Sequence, residues 1–233
     1  MTKLSISTPH HHLETYIAKP QGAGPWPAVI VLHDVFGLTD VTRGHADWLA
    51  SQGYLAVAPD LFSWGNRLRC IRALMVDLSA RKGPSFEDVD AVRQWLVDQP
   101  DCTGKVGVIG FCATGGFAIM LAAGHSYSAV APNYGQVPND IDAILSGGAC
   151  PMVASFGGRD GTLKGAAARL EGALARRQIE HDVKEYPEAG HAFLDDHKGL
   201  VGVLGAVIGA TYKEKDAADA RGRIQAFFAR NLA

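Results

Sequence analysis

Short apolar runs alternate along the chain with longer segments that carry polar and apolar residues in turn. An apolar run of four to eight residues is typical of a strand buried on both faces of a parallel sheet. The alternation predicts an α/β fold: one doubly wound, mostly parallel sheet with helices on both faces. The predicted strands are Ala28–Leu32, Tyr54–Ala58, Val106–Ile109, Ala129–Asn133, Met152–Phe156 and Asp182–Tyr186.

Helices are predicted between these strands, and an opening strand or hairpin is predicted for residues 4–19. Gly53 is placed as a helix stop, and Ser85 and Asp216 are placed as helix N-caps. No repeat or linker interrupts the pattern, so residues 1–233 are expected to form a single domain. The predicted helices are Asp40–Gln52, one ending near Ala80, Ser85–Gln99, one through Ala123, Asp140–Ser146, Gly165–Gln178 and Asp216–Asn231.

A tight corner is predicted where the strand Val106–Ile109 leads into an Ala-rich helix. Gly110 and Cys112 at this corner match the spacing of a nucleophile elbow, G-x-S-x-G, with sulfur in place of the hydroxyl. The elbow crowds the backbone, so residues two positions away from the nucleophile must be small. The helix N-terminus favours a thiolate and offers N–H donors to a developing oxyanion.

The fifth position of the motif departs from the pattern, because Thr114 stands where glycine is expected. Gly115 and Gly116 follow directly, and each glycine in a helix costs roughly 1 kcal/mol relative to alanine. Some close approach must therefore require them. The motif alone leaves open a second interpretation, a buried structural cysteine in a strand–helix unit.

Four residues with catalytic side chains follow predicted strands: Asp34, Cys112, Asp160 and His191. Ligands of open α/β sheets bind beyond the carboxyl ends of the strands. The order nucleophile, acid, histidine is that of α/β-hydrolases, and each interval leaves room for a helix and a strand. The pattern therefore predicts a hydrolase.

The chemistry assigns a role to each of these residues. Cys112 attacks an acyl carbonyl as a thiolate, His191 takes and returns the proton, and Asp160 orients the imidazole. The oxyanion donors are expected to be the backbone N–H groups of Ala113 and of Val35 or its neighbour.

Five short motifs resemble those of the dienelactone hydrolase (carboxymethylenebutenolidase) family over about residues 13–231. This resemblance implies a single α/β-hydrolase domain that opens enol-lactones with a Cys–His–Asp triad, without metal or cofactor. It also implies that Asp34, where the family has a glutamate, helps to activate the thiol, and that Tyr134 lies near the site. The motifs are Gly110–Cys112, Gly157–Asp160, Ala189–Phe193, His33–Leu38 and Ala58–Leu61.

Family enzymes for carboxylated dienelactones hold the carboxylate with arginines, one of them four residues after the histidine. Asp195 occupies that position here, so neutral lactones or esters are expected to be better substrates. Arg67, Arg69 and Arg72 are alternative carboxylate ligands, although three arginines on one helix also fit a solvated face.

Composition and charge limit the classes of binding partner that are expected. A net charge of −2 gives no electrostatic reason to expect nucleic acid or an anionic membrane. Residues 1–9 lack the apolar core of a signal peptide, and the four cysteines lack C-x-x-C spacing. These features predict a cytoplasmic monomer or homodimer acting on a small molecule. The role of the apolar stretch Gly199–Ala210 is left open.

Three other interpretations fit the sequence less well. A non-catalytic or redox-sensing thiol protein needs only a reactive Cys112 and would not use His191 and Asp160. A serine-type hydrolase or peptidase would need a serine at a second elbow, which the sequence lacks. Residues His10–His12 suggest a metal site or tag remnant, but a polar turn is favoured.

Overall fold

The computed structural model describes residues 2–198 and 211–233. Contacts divide the chain into two compact units, Met1–Ile109 with Leu232–Ala233 and Gly110–Asn231. Strand β5 (Cys102–Phe111) begins in the first unit and ends in the second. The stretch Gly199–Ala210 lies outside the described residues.

The first unit contains strands in the order β1-β2-β4-β3-β5. β1 pairs with β2 and β2 with β4 in antiparallel orientation, whereas β3 and β4 are parallel, with Ala28 opposite Leu55. All of β4 and the last five residues of β3 are buried, as their continuous apolar runs predict. Besides β5, the strands of this unit are β1 (Thr2–Ser7), β2 (His12–Ala18), β3 (Trp26–Leu32) and β4 (Leu55–Pro59).

Three helices complete the first unit: α1 (Asp40–Ser51), α2 (Arg67–Ala80) and α3 (Pro84–Val97). The prediction that Ser85 caps α3 is wrong, because Gly83 is the N-cap and Pro84 opens the first turn. The Ser85 N–H instead donates to the buried Asp77 carboxylate of α2 at 2.8 Å. A side chain from another helix therefore supplies the cap.

After the end of β5, the second unit contains three strands in the order β6-β7-β8, paired in parallel. The prediction for β6 matches both its bounds. The strands are β6 (Ala129–Asn133), β7 (Met152–Gly157) and β8 (His181–Tyr186).

Helices between and after these strands pack on them: α4 on β6, α6 on β7 and β8, and the last helix on β6 and β7. The last helix begins two residues before Asp216, which lies in its first turn, so the prediction of Asp216 as N-cap is wrong. The helices are α4 (Ala113–Ala122), α5 (Ile141–Ile144), α6 (Ala166–Arg176) and α7 (Glu214–Asn231).

Helix α7 is fixed to the sheet by a half-buried arginine as well as by its apolar face. The Arg223 guanidinium donates to the Asp182 carboxylate at 2.7 and 3.1 Å, and to Ser155 Oγ and Tyr186 Oη.

The α/β architecture with mostly parallel strands flanked by helices is confirmed. Among the described residues, no helix has the length and apolarity that crossing a bilayer would require.

Candidate active site

Cys112 stands alone between the end of β5 and the start of α4. Its backbone has φ 58° and ψ −120°, a conformation that costs free energy for any residue other than glycine. The Cys112 N–H donates to the Asn133 carbonyl at 3.1 Å, which holds the corner in place. The sharp strand–cysteine–helix turn expected of an elbow is therefore present.

The residues around the corner explain the motif, including its departure at Thr114. A Cβ atom on Gly110 would overlap the Thr114 carbonyl, so only glycine fits there. The Thr114 hydroxyl is within 3.0 Å of both the N–H and the carbonyl of Phe111, accepting from one and donating to the other. Thr114 thus closes the turn by hydrogen bonding to the strand end.

The glycine pair after Thr114 permits a close crossing of α4 over the segment that follows β6. A Cβ atom on Gly115 would lie 2.5 Å from the Asn133 carbonyl oxygen, and one on Gly135 would overlap Gly116. This crossing is the close approach that the sequence led us to expect.

Asp160 follows β7 and is held by two sets of hydrogen bonds. One carboxylate oxygen accepts from the backbone N–H and the hydroxyl of Thr162, at 3.0 and 2.6 Å. The other lies 2.5 Å from Nδ1 of His191. Burial tends to raise the pKa of the Asp160 carboxyl, but the bonds to His191 and Thr162 outweigh it and lower that pKa below its ordinary value.

The loop that carries His191 packs closely on the segment that carries Asp160. A Cβ atom on Gly157 would overlap the Gly190 carbonyl, and the Arg159 N–H donates to the Ala189 carbonyl at 2.9 Å. Gly157 is therefore required by the contact that brings the acid to the histidine.

The His191 imidazole contacts Cys112 as well as Asp160. Burial disfavours its charged form, but hydrogen bonds with Asp160 and Cys112 and their charges raise the pKa of His191 to about 10. The imidazole is consequently protonated at neutral pH. The structure thus brings together Cys112, His191 and Asp160, in an arrangement that suits nucleophilic acyl transfer.

Of two further predicted residues, Tyr134 lies against the histidine and Asp195 is bonded to Tyr134. The Tyr134 ring meets the His191 ring edge-on, with centroids 5.3 Å apart. The Tyr134 hydroxyl donates to Asp195 Oδ2 at 2.5 Å, and both residues are buried. Asp195 is therefore bonded to a tyrosine of the site, a contact that the sequence did not predict.

The remaining predicted residues belong to the first unit. Asp34 is buried and its carboxylate accepts from the Phe36 N–H at 2.7 Å. Arg67 donates to the Val35 carbonyl at 2.8 Å, and the Arg69 guanidinium lies over the Trp64 ring. Arg72 is exposed. Their roles toward the thiol, the oxyanion and the substrate stay predictions.

Sequence reasoning missed Thr162 and Asn133, which orient the acid and the elbow. Thr162 had a usable signal, because a hydroxyl residue two positions after an aspartate often bonds to it in a turn. Asn133 contributes its backbone carbonyl, which no side-chain pattern reveals. His10 and His11 pair with Glu87 and Asp88, at 2.6 and 2.5 Å, so each of these two histidines has a carboxylate partner.

Known proteins resemble this chain over most of its length. The model of the dienelactone hydrolase family matches residues 13–232. A protein of Escherichia coli K12, provisionally named carboxymethylenebutenolidase, is 30% identical over 214 residues, which cover 83% of this chain and 78% of the relative. A Yersinia pestis protein with the same provisional name is 29% identical, covering 83% and 79%.

Solved structures agree with the sequence relatives. A crystal structure from Klebsiella pneumoniae, provisionally described as a dienelactone hydrolase, superposes with a TM-score of 0.81 at 26% identity, covering 98% of each chain. A dienelactone hydrolase-like promiscuous phosphotriesterase from metagenomic libraries reaches 0.85 at 20% identity, covering 100% of this chain and 98% of that one. The second comparison supports the fold alone.

Proposed function

The chain belongs to the dienelactone hydrolase family, and from that premise we propose that it cleaves lactones or small carboxylic esters with a Cys112–His191–Asp160 triad. One observation carries the proposal: His191 contacts the Cys112 side chain and also lies 2.5 Å from the buried Asp160 carboxylate. A nucleophile, a proton carrier and an orienting acid are therefore in contact in the required order.

The first half of the reaction forms a thioacyl-enzyme. The Cys112 sulfur, in its thiolate form, attacks the carbonyl carbon, and the carbonyl electron pair moves onto oxygen. As the tetrahedral intermediate collapses, the bond to the leaving oxygen breaks and His191 gives that oxygen a proton. In a lactone the leaving oxygen stays attached to the acyl group.

The second half is hydrolysis of the thioester. His191, now neutral, takes a proton from water as the water oxygen attacks the acyl carbon. The carbon–sulfur bond breaks, the carboxylic acid leaves, and the thiolate–imidazolium pair is restored. Asp160 keeps Nδ1 protonated and stabilises the imidazolium at each stage.

The oxyanion of both intermediates needs N–H donors. The first turn of a helix leaves its N–H groups without intrahelical acceptors, so the Ala113 N–H at the start of α4 is suited to this role. The second donor is proposed to be the Val35 N–H, with Asp34 assisting thiol activation. Arg67, Arg69 and Arg72 are the proposed carboxylate ligands if the substrate is anionic.

Mass spectrometry during turnover tests the proposal directly. Purified protein mixed with an activated ester should gain the mass of one acyl group on Cys112 and then lose it as product appears. Cys112→Ala should give no adduct and lower kcat/KM by at least about a thousandfold, while the matched control Cys102→Ala keeps wild-type turnover.

Two outcomes would contradict this function. Turnover of Cys112→Ala within a few-fold of wild type would exclude the triad. An adduct that forms once and is never released, with no turnover of any lactone or ester, would instead favour a non-catalytic or redox-sensing thiol.

A further inference from the structure

Tyr134 occupies an unusual place in the backbone of the second unit. It follows β6 with φ 40°, in the left-handed region that side-chain-bearing residues seldom adopt. The Tyr134 N–H donates to the Ser155 carbonyl of β7 at 2.7 Å, and the side chain is 1% exposed. A conformation of this cost persists where the surroundings enforce it, often at functional sites.

The residues on either side of Tyr134 contact the nucleophile elbow. The Asn133 carbonyl accepts the Cys112 N–H at 3.1 Å, and Gly135 packs on the backbone of Gly115 and Gly116. The backbone at Tyr134 is therefore fixed relative to Cys112 from both directions.

The Tyr134 side chain extends to the other half of the site. Its ring contacts the His191 ring at 5.3 Å and 62°, and its hydroxyl donates to the Asp195 carboxylate at 2.5 Å. The Asp195 N–H donates to the Ala192 carbonyl at 2.9 Å, which closes the turn directly after His191. Tyr134 is thus bonded to the loop that carries the histidine.

We propose that Tyr134 and Asp195 are a positioning pair, which sets the orientation of the His191 ring toward the Cys112 sulfur. The pair connects a backbone segment fixed to the elbow with the turn that follows the histidine. A short hydrogen bond to a buried carboxylate is strong and directional, so its loss lets the ring shift. Displacements of about 1 Å at such a site reduce rates by up to about a hundredfold.

The second unit offers a matched control. The Tyr186 hydroxyl donates to the Asp219 carboxylate at 2.7 Å, and the Tyr186 ring packs on Phe193, as the Tyr134 ring also does. Tyr186→Phe therefore removes a tyrosine–aspartate bond, together with the bond that Tyr186 accepts from Arg223, outside the proposed triad.

The experiment compares Tyr134→Phe, Asp195→Ala, Asp195→Asn and Tyr186→Phe in the full chain. Three quantities are measured: kcat and KM for an activated ester, the rate of Cys112 alkylation by iodoacetamide, and Tm. We expect Tyr134→Phe and Asp195→Ala to lower kcat about tenfold with KM within about twofold, and to slow alkylation. Asp195→Asn should recover most of the loss, because its amide oxygen still accepts the tyrosine hydroxyl.

The double variant Tyr134→Phe/Asp195→Ala should be no slower than the slower single variant, because each single change already removes the same Tyr134–Asp195 hydrogen bond. Tyr186→Phe should lower Tm alone. The proposal is overturned if Tyr134→Phe and Asp195→Ala behave like Tyr186→Phe, or if Asp195→Asn is as slow as Asp195→Ala.

Turnover in this test rests on the proposed function, whereas alkylation does not. If the wild type turned over no ester, the proposed function would fail. The positioning role would still hold if Tyr134→Phe moved the alkylation rate toward that of His191→Ala, and would fail if it did not.

Discussion

The environment of Cys112 differs from that of the other three cysteines. Burial raises the pKa of the Cys150 thiol to about 12, and burial also raises the pKa of Cys70 and Cys102. Cys112 instead contacts His191 and precedes the N-terminus of α4. Both features are typical of cysteines that react as nucleophiles.

We therefore expect Cys112 to be alkylated well before the other cysteines at neutral pH. Iodoacetamide labelling followed by peptide mapping measures the four rates separately. His191→Ala should slow labelling of Cys112 and leave the other three unchanged. Uniform labelling of all four thiols would show Cys112 to be an ordinary cysteine.

The pKa of His191 is set by its two partners. Because Cys112 and Asp160 both raise it, Cys112→Ala and Asp160→Asn should each bring it down from about 10 toward its ordinary value of 6.5. An NMR titration of the imidazole measures this directly. A His191 pKa near 10 in both variants would mean that other groups hold the proton.

The same shift makes stability depend on pH. A pKa that is higher in the folded state contributes free energy of unfolding in full below pH 6.5, and this contribution disappears as the pH rises to about 10. Urea unfolding of wild type and His191→Gln should therefore differ most at the acid end of this window and converge above it. A constant difference from pH 6.5 to 10 would contradict the assignment.

Among the elements, α4 depends most on its glycines. Gly115→Ala would place a methyl group 2.5 Å from the Asn133 carbonyl oxygen, which pushes α4 away from β6 and distorts the elbow. Overpacking of this kind costs about 1–3 kcal/mol, and turnover should fall with it.

Gly44→Ala is the matched control, because Gly44 lies within α1 and a Cβ atom there would meet nothing within 4 Å. This change should leave turnover unchanged and raise stability by up to about 1 kcal/mol. Tm and kcat are measured for Gly115→Ala and Gly44→Ala. Equal effects of the two changes would mean that the crossing of α4 tolerates a methyl group.

The elements that sequence predicts well are those whose pattern follows from burial. The bounds of β6 and the corner at Cys112 agree with the structure, because buried parallel strands are continuous apolar runs and a tight corner requires Gly110. The start of α3 was missed because its cap comes from Asp77, which lies on another helix. The local sequence pattern at the start of a helix gives no sign of a cap that another helix supplies.

The Tyr134–Asp195 bond was missed for the same reason, since 61 residues separate its partners. Resemblance led us to consider Asp195 as a residue that meets substrate. The structure gives its carboxylate a second task, bonding to Tyr134. An Asp195→Arg variant would lose that bond as well as change the charge, so its kinetics would not isolate the effect of substrate charge.

At the scale of the whole molecule, the preference for substrate charge is better tested by changing the substrate and leaving the protein unchanged. Asp160 places a buried carboxyl group against His191, and buried Asp195 is bonded to Tyr134, whose ring contacts the same imidazole. A carboxylated ligand entering a partly desolvated site beside these carboxyl groups is disfavoured. We expect a neutral lactone or methyl ester to have a higher kcat/KM than the matched free acid. The opposite preference would point to Arg67, Arg69 or Arg72 as the carboxylate ligand.

The order of the triad along the chain has a consequence during synthesis. Cys112 leaves the ribosome 48 residues before Asp160 and 79 residues before His191. The corner bonds to and packs on the nearby segment at Asn133–Gly135, so these contacts can form early. A nascent chain therefore carries Cys112 before His191 has been made, and the proposed contact between the sulfur and the imidazole can form only once residue 191 of 233 has been added.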